Sequence, residues 1–287
     1  MLMTWRVGVL SVWVMAMGQA VFASSVDRDT ATLAAIPSAS FVASSPNVTE
    51  SATVAQGVAA EPTASCVVML HGLAGRPWNF NALARTLTRY GHWVETPAYP
   101  SRELTIAQAA NVVAESVNRC HTRGATTVDL VGHSLGGLLI RQYLSTQSLA
   151  EQQRLGIGRV VMLGTPNQGS VLSDDGGLRF GYEREIAKWM GPVVAELGTG
   201  RAGPIERFGP MTVPTGVVAG YYSLTPWFNG RFAEPNDGLV SVSSTRVAGM
   251  KDFIQVPENH LKLPDDPDVQ RQVLWFLHTG HFYHAVD

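Results

Sequence analysis

Gly132-His133-Ser134-Leu135-Gly136 forms a G-x-S-x-G sequence between two segments of different character. Residues 127–131 before it are a short apolar run that suits a buried strand, and residues 137–144 after it suit the opening of a helix. A serine at such a strand-to-helix turn is held in a strained backbone, and its hydroxyl is pushed into the open. Small residues must flank it, because a Cβ there would meet the neighbouring strand and helix. The pattern makes Ser134 a candidate nucleophile; a plain glycine-rich turn is the alternative.

The rest of the chain alternates in the same way from residue 66 onward. Apolar runs at 67–70, 93–96, 127–131, 159–164, 215–220 and 252–256 read as strands. Phe80, Leu83, Leu87 and Tyr90 recur at helical spacing before Gly91. Ile106, Ala109, Val113, Val117 and Cys120 mark a second helix face, and residues 268–277 a closing helix. Continuous apolar strands are buried on both sides, so the expectation is an α/β fold: a mostly parallel sheet with helices on both faces. Chemistry in such sheets gathers at the carboxyl ends of the strands. Residues 165–214 break the alternation as a long insertion without a clear strand. Ile186, Trp189, Met190, Val193, Val194 and Leu197 make it apolar, and Gly191-Pro192 divides it. A cover over a site and simple packing on the core both fit it.

Residues 1–23 carry one positive side chain, then an apolar run, then Val21-Phe22-Ala23, which has the form of a signal-peptide cleavage site. Residues 24–64 are rich in Ala, Ser, Thr, Val and Pro without a sustained period, and read as a tether; Asn47-Val48-Thr49 within it fits a glycosylation sequon. Residues 65–287 are then the folded catalytic region, in a periplasmic or secreted protein. Export permits a disulfide between the chain's two cysteines, Cys66 and Cys120; two separate buried thiols are the alternative. A net charge of −2 with scattered basic residues argues against a nucleic-acid partner.

A serine hydroxyl needs a base to take its proton and an acid to orient that base. Around a G-x-S-x-G turn the chain order is serine, acid, histidine. His260 directly follows a predicted strand, in Pro257-Glu258-Asn259-His260, where the base belongs. His278, His281 and His284 lie in or beyond the last helix, and their spacing matches no standard zinc pattern, so no metal is expected. Asp237 lies in the turn-rich Asn236-Asp237-Gly238-Leu239-Val240 and is preferred as the acid. Asp174 and Asp175 suit loop or cap positions, and Asp252 opens a strand at the wrong edge of the sheet. Glu183, Glu185, Glu196, Glu206, Glu234 and Glu258 complete the acidic candidates. Oxyanion donors are expected at the backbone N–H groups of Leu135 and of Leu73, in His71-Gly72-Leu73-Ala74-Gly75. His71 reads as a shaper of that turn, and His133 as the variable position of the elbow.

From residue 66 to 281 the chain resembles an α/β-hydrolase of the bacterial lipase and esterase type. The resemblance rests on His71-Gly72-Leu73, residues 132–137, residues 164–170, residues 236–240 and Asn259-His260-Leu261, in that order. It implies Asp237 and His260 as the triad partners of Ser134 and a sheet without the two leading strands of larger hydrolases. Some such lipases bind structural calcium through an aspartate two residues after the catalytic histidine; here that place is Lys262, so calcium is not expected. The implied activity is cleavage of small-molecule or lipid esters through an acyl-enzyme without a cofactor, with transient contact with a lipid surface. An acyltransferase or thioesterase using the same triad, or a binding protein on the same fold, are the alternatives.

Overall fold

The computed structural model describes residues 65–174, 190–199, 203–224 and 232–284, all within the second of the chain's two units, Val58–Asp287. The signal segment, the tether with Asn47, and Asp175, Glu183, Glu185, Ile186, Trp189, Trp227 and Phe228 lie outside the described residues.

Six strands form one sheet in the order β2-β1-β3-β4-β5-β6. They are β1 (Ser65–Leu70), β2 (Trp93–Glu95), β3 (Thr127–His133), β4 (Ile157–Leu163), β5 (Thr215–Gly220) and β6 (Asp252–Val256). Every pairing is parallel. Helices α1 (Asn81–Arg89), α2 (Ile106–Ala109), α3 (Asn111–Thr122), α4 (Leu135–Ser145), α5 (Leu149–Arg154) and α6 (Pro267–Thr279) supply the connections.

Strand side chains alternate between the two faces, so each apolar run feeds two cores. Cys66, Val68 and Leu70 of β1 join Val113 and Val117 of α3 and Leu138 and Leu139 of α4 on one face. Val67 and Met69 join Leu83 and Leu87 of α1 and Val273 and Phe276 of α6 on the other. The predicted strands and closing helix are all present, and the sheet is the parallel, doubly covered one the pattern implies.

Two local expectations need correction. The helix face through 106–120 spans two helices, divided at Ala110. Ala110 keeps right-handed helical angles, so the apolar face crosses the junction, and Ile106, Ala109, Val113, Val117 and Cys120 are all buried. Thr105 starts α2 with a reciprocal cap to Gln108, its hydroxyl accepting from the Gln108 N–H. Tyr90 is exposed rather than core, because it is the cap residue beyond the last turn of α1.

Cys66 and Cys120 form a disulfide that ties β1 to the end of α3, with Cα atoms 5.9 Å apart across a separation of 54 residues. Asp129 of β3 is also buried, and its Oδ1 accepts from the Arg159 N–H at 2.6 Å. Burial pushes its carboxyl up to about 6, against the pull of Arg159. Asp252, the first residue of β6, accepts from the Phe282 N–H at 2.7 Å, and its Oδ1 lies 2.9 Å from His284 Nε2.

Candidate active site

The chain runs from β1 outward to β2 and returns to β3 on the other side of β1, so the strand order reverses between β1 and β3. A crevice at the carboxyl ends of the strands is expected at such a reversal. The loops leaving β1 and β3 there are those of His71–Gly75 and Ser134.

Ser134 has φ 53° and ψ −122°, immediately before α4. A non-glycine residue in that region costs on the order of 1–3 kcal/mol, which the surrounding structure must over-determine. Its N–H donates to the Leu163 carbonyl at 2.9 Å, and its carbonyl accepts from the Gly137 N–H at 3.1 Å. A Cβ on Gly136 would run into the Leu70 carbonyl, and one on Gly132 into the Gly137 backbone. The elbow's small residues are thus required by contact with β1 and with the first turn of α4. Leu135 opens that turn, where backbone N–H groups have no intrahelical acceptor.

The loop after β1 lies against the elbow: a Cβ on Gly72 would be 3.0 Å from Ser134 Cβ. Ala74, next to Leu73, has φ 57°; among the described residues only it and Ser134 are non-glycine residues with positive φ. Its N–H donates to Ser101 Oγ at 3.0 Å, and the Gly75 N–H to the Gly72 carbonyl at 3.0 Å. His71 stacks on Tyr99 with ring centres 4.1 Å apart, and its Nδ1 lies 2.9 Å from the Gly72 carbonyl, which makes Nδ1 the protonated nitrogen. The Tyr99 hydroxyl donates to the His71 carbonyl. Burial lowers the His71 pKa below the ordinary histidine value.

Asp237 and His260 come together from loops after β5 and β6. Asp237 Oδ1 accepts from the Leu239 N–H at 3.0 Å and the Val240 N–H at 2.8 Å, which holds the carboxylate in its turn. Oδ2 is left to face His260 Nδ1 at 2.7 Å. The His260 N–H donates to the Asp237 carbonyl at 3.0 Å, so backbone and side chain are both tied. Gly164, at the end of β4, gives this pair its space: a Cβ there would lie 3.1 Å from Asp237 Oδ2 and 3.2 Å from His260 Nδ1. Both partners are buried. A carboxylate at Nδ1 directs the imidazole's basic lone pair to Nε2.

His133 links this pair to the elbow, which position-by-position reading of the motif does not anticipate. It is not a bystander: its Nε2 lies 2.9 Å from the His260 carbonyl, and the two rings are 4.8 Å apart. Burial, then the nearby His260 and His71, pushes its pKa down to about 3, so the ring is neutral with its proton on Nε2. The contact joins residues 127 positions apart, so no local pattern in the chain signals it.

Four of the other acidic candidates are engaged elsewhere. Asp174 bonds Thr199, Glu196 accepts from the Ile106 N–H at 2.7 Å, Glu234 accepts from Ser243, and Asp252 holds the tail at the opposite edge of the sheet. The contacts of Glu196, with Val193 and Leu197 in the core, pin that part of the insertion to the body. Arg141 of α4 pins a second part through the carbonyls of Asn167 and Gly209, at 2.7 and 3.2 Å. Tyr221, Tyr222, Leu239 and Leu261 are exposed apolar side chains beside the loops of the triad candidates. Among the described residues no group of three His, Cys, Asp or Glu side chains is placed to hold a metal ion.

The fold that carries this site is shared with solved structures. The mature lipase BlEst2 of Bacillus licheniformis is similar over 77% of this chain and 93% of its own, with a TM-score of 0.59 at 18% identity. The chain spans 52% of the propeptide form of that lipase. Phospholipase PlaB of Legionella pneumophila also has a TM-score of 0.59, at 14% identity, over 76% of this chain and 59% of its own. The chain has the α/β-hydrolase fold. A domain family of unknown function, DUF7379, matches residues 39–179, just under half of this hydrolase-fold chain. No curated protein matches it.

Proposed function

We propose that this α/β-hydrolase-fold chain is an exported serine hydrolase that cleaves carboxylic esters. The observation that carries the reading is the Asp237–His260 contact of 2.7 Å beside the strained Ser134. Ser134 Oγ attacks the ester carbonyl while His260 Nε2 takes its proton. Asp237 holds the imidazole in the required tautomer and stabilises the imidazolium that forms. The Leu73 and Leu135 N–H groups stabilise the oxyanion; one such donor is typically worth about 2.7–4 kcal/mol. His260 then protonates the leaving alcohol, and water activated by the same histidine releases the acid from the acyl-enzyme. The exposed Tyr221, Tyr222, Leu239 and Leu261 suit an ester substrate that is itself apolar, presented transiently from a lipid surface. Residues 1–23 act as the export signal and residues 24–64 as a tether, in keeping with a disulfide in the folded part.

The test is a p-nitrophenyl ester series from acetate to palmitate together with fluorophosphonate labelling. The expected result is turnover and a single label at Ser134, both lost in Ser134→Ala with the thermal transition unchanged. Undiminished turnover in Ser134→Ala would refute the assignment.

A further inference from the structure

His260 is the proposed base, and a base acts only if it is held within a few tenths of an ångström of its working position. Two of its anchors come from Asp237: the side-chain contact at 2.7 Å and the backbone bond at 3.0 Å. Both fix His260 relative to the acid loop alone. Neither fixes it relative to Ser134, which sits on a different strand.

The contact that spans this gap is made by His133, the last residue of β3 and the immediate neighbour of Ser134. Its Nε2–H donates to the main-chain carbonyl of His260 at 2.9 Å, and its ring lies against the His260 ring at 44° between planes. On its other side, a Cβ on Gly72 would come within 3.3 Å of His133 Nδ1. The ring therefore sits between the oxyanion loop and the base loop, and it is 7% exposed. A buried donor with one acceptor within reach holds a fixed distance, because leaving the pair unmade costs the desolvation of both groups.

We infer that His133 is a positioning residue of the active site, setting the distance between the His260 loop and the nucleophile through its bond to the His260 carbonyl. This inference rests on the serine hydrolase reading. It assigns to the second position of the G-x-S-x-G motif a role through His260 rather than through substrate. The neutral state of the ring serves the same end: a second positive charge beside His260 would oppose formation of its imidazolium.

Two variants separate the bond from the ring. His133→Phe keeps an aromatic ring without the donor, and His133→Gln keeps an N–H donor without the ring. With p-nitrophenyl butyrate, His133→Phe is expected to lower kcat about 10- to 100-fold with KM within about two-fold of wild type. His133→Gln is expected to recover kcat to within about five-fold of wild type. Fluorophosphonate labelling of Ser134 should slow in step with kcat, with the thermal midpoint recorded for each variant. Wild-type kcat in His133→Phe overturns the inference alone, as does a His133→Gln variant that folds and is as slow as His133→Phe. Should His133→Phe fail to fold, a folded His133→Gln with kcat down 100-fold likewise overturns it. A wild-type protein that neither labels nor turns over ester overturns the hydrolase reading, and this inference with it.

Discussion

The two edges of the sheet are built for different purposes. At the carboxyl edge the chain accepts strain and burial: Ser134 and Ala74 have positive φ, and Asp237, His260, His133 and His71 are buried polar groups in contact with one another's loops. Toward the amino edge there is no such strain among the described non-glycine residues. What sits there closes the structure: the Cys66–Cys120 bridge, the Asp129–Arg159 contact and Asp252 holding the tail. The difference teaches that buried charge has to be read by edge. Asp237 faces a histidine from another loop, whereas Asp129 faces only the backbone of the adjacent strand and an arginine charge.

The sharpest way to break this division is to substitute a buried aspartate at each edge. Asp237→Asn is expected to lower ester kcat by about 10³–10⁴-fold, because an amide cannot hold the His260 tautomer. Its thermal midpoint should move little, since an amide oxygen still accepts from the Leu239 and Val240 N–H groups. Activity within ten-fold of wild type would remove Asp237 from the triad. Opening the bridge with a Cys66→Ala, Cys120→Ala double variant should do the reverse. It is expected to lower stability by about 4 kcal/mol in the loop-entropy account, read from urea unfolding, with kcat at 25 °C unchanged. A large loss of kcat in the folded double variant would show that the edges are not separable.

Asp129 gives the smallest effect and a definite sign. Its folded pKa is raised to about 6, so the folded state holds its proton more tightly than the unfolded state does. Its contribution to stability is fully present below the unfolded value near 4 and is lost as pH rises through about 6, amounting to roughly 3 kcal/mol. Asp129→Asn, which cannot ionise, should abolish that part of the pH dependence and gain on wild type between pH 4 and 8. Parallel urea-midpoint profiles for the two proteins would contradict it, and ester turnover should be the same in both.

Much of this molecule is legible in one dimension because its signals are local. A strand buried on both faces must be a continuous apolar run, and a serine on a strand–helix turn must have small neighbours; residues 67–70 and 132–136 state both in adjacent letters. The order serine, aspartate, histidine, with turn residues before each partner, points to Asp237 and His260 as the candidate acid and base. The division of the helix at Ala110 and the exposure of Tyr90 are not legible, because apolar spacing runs on unchanged across a helix junction and past a helix end.

The tertiary structure alone decided what joins these parts. Parallel pairing of β3 with β4, and of β5 with β6, brings Gly164 against the Asp237–His260 pair and His133 against the His260 carbonyl. Those contacts cross separations of up to 127 residues and involve backbone atoms that every residue carries. The chain's letters therefore single out Ser134, Asp237 and His260 as candidates, while the contacts that join Asp237, His260 and His133 exist only where the strands of the sheet end together.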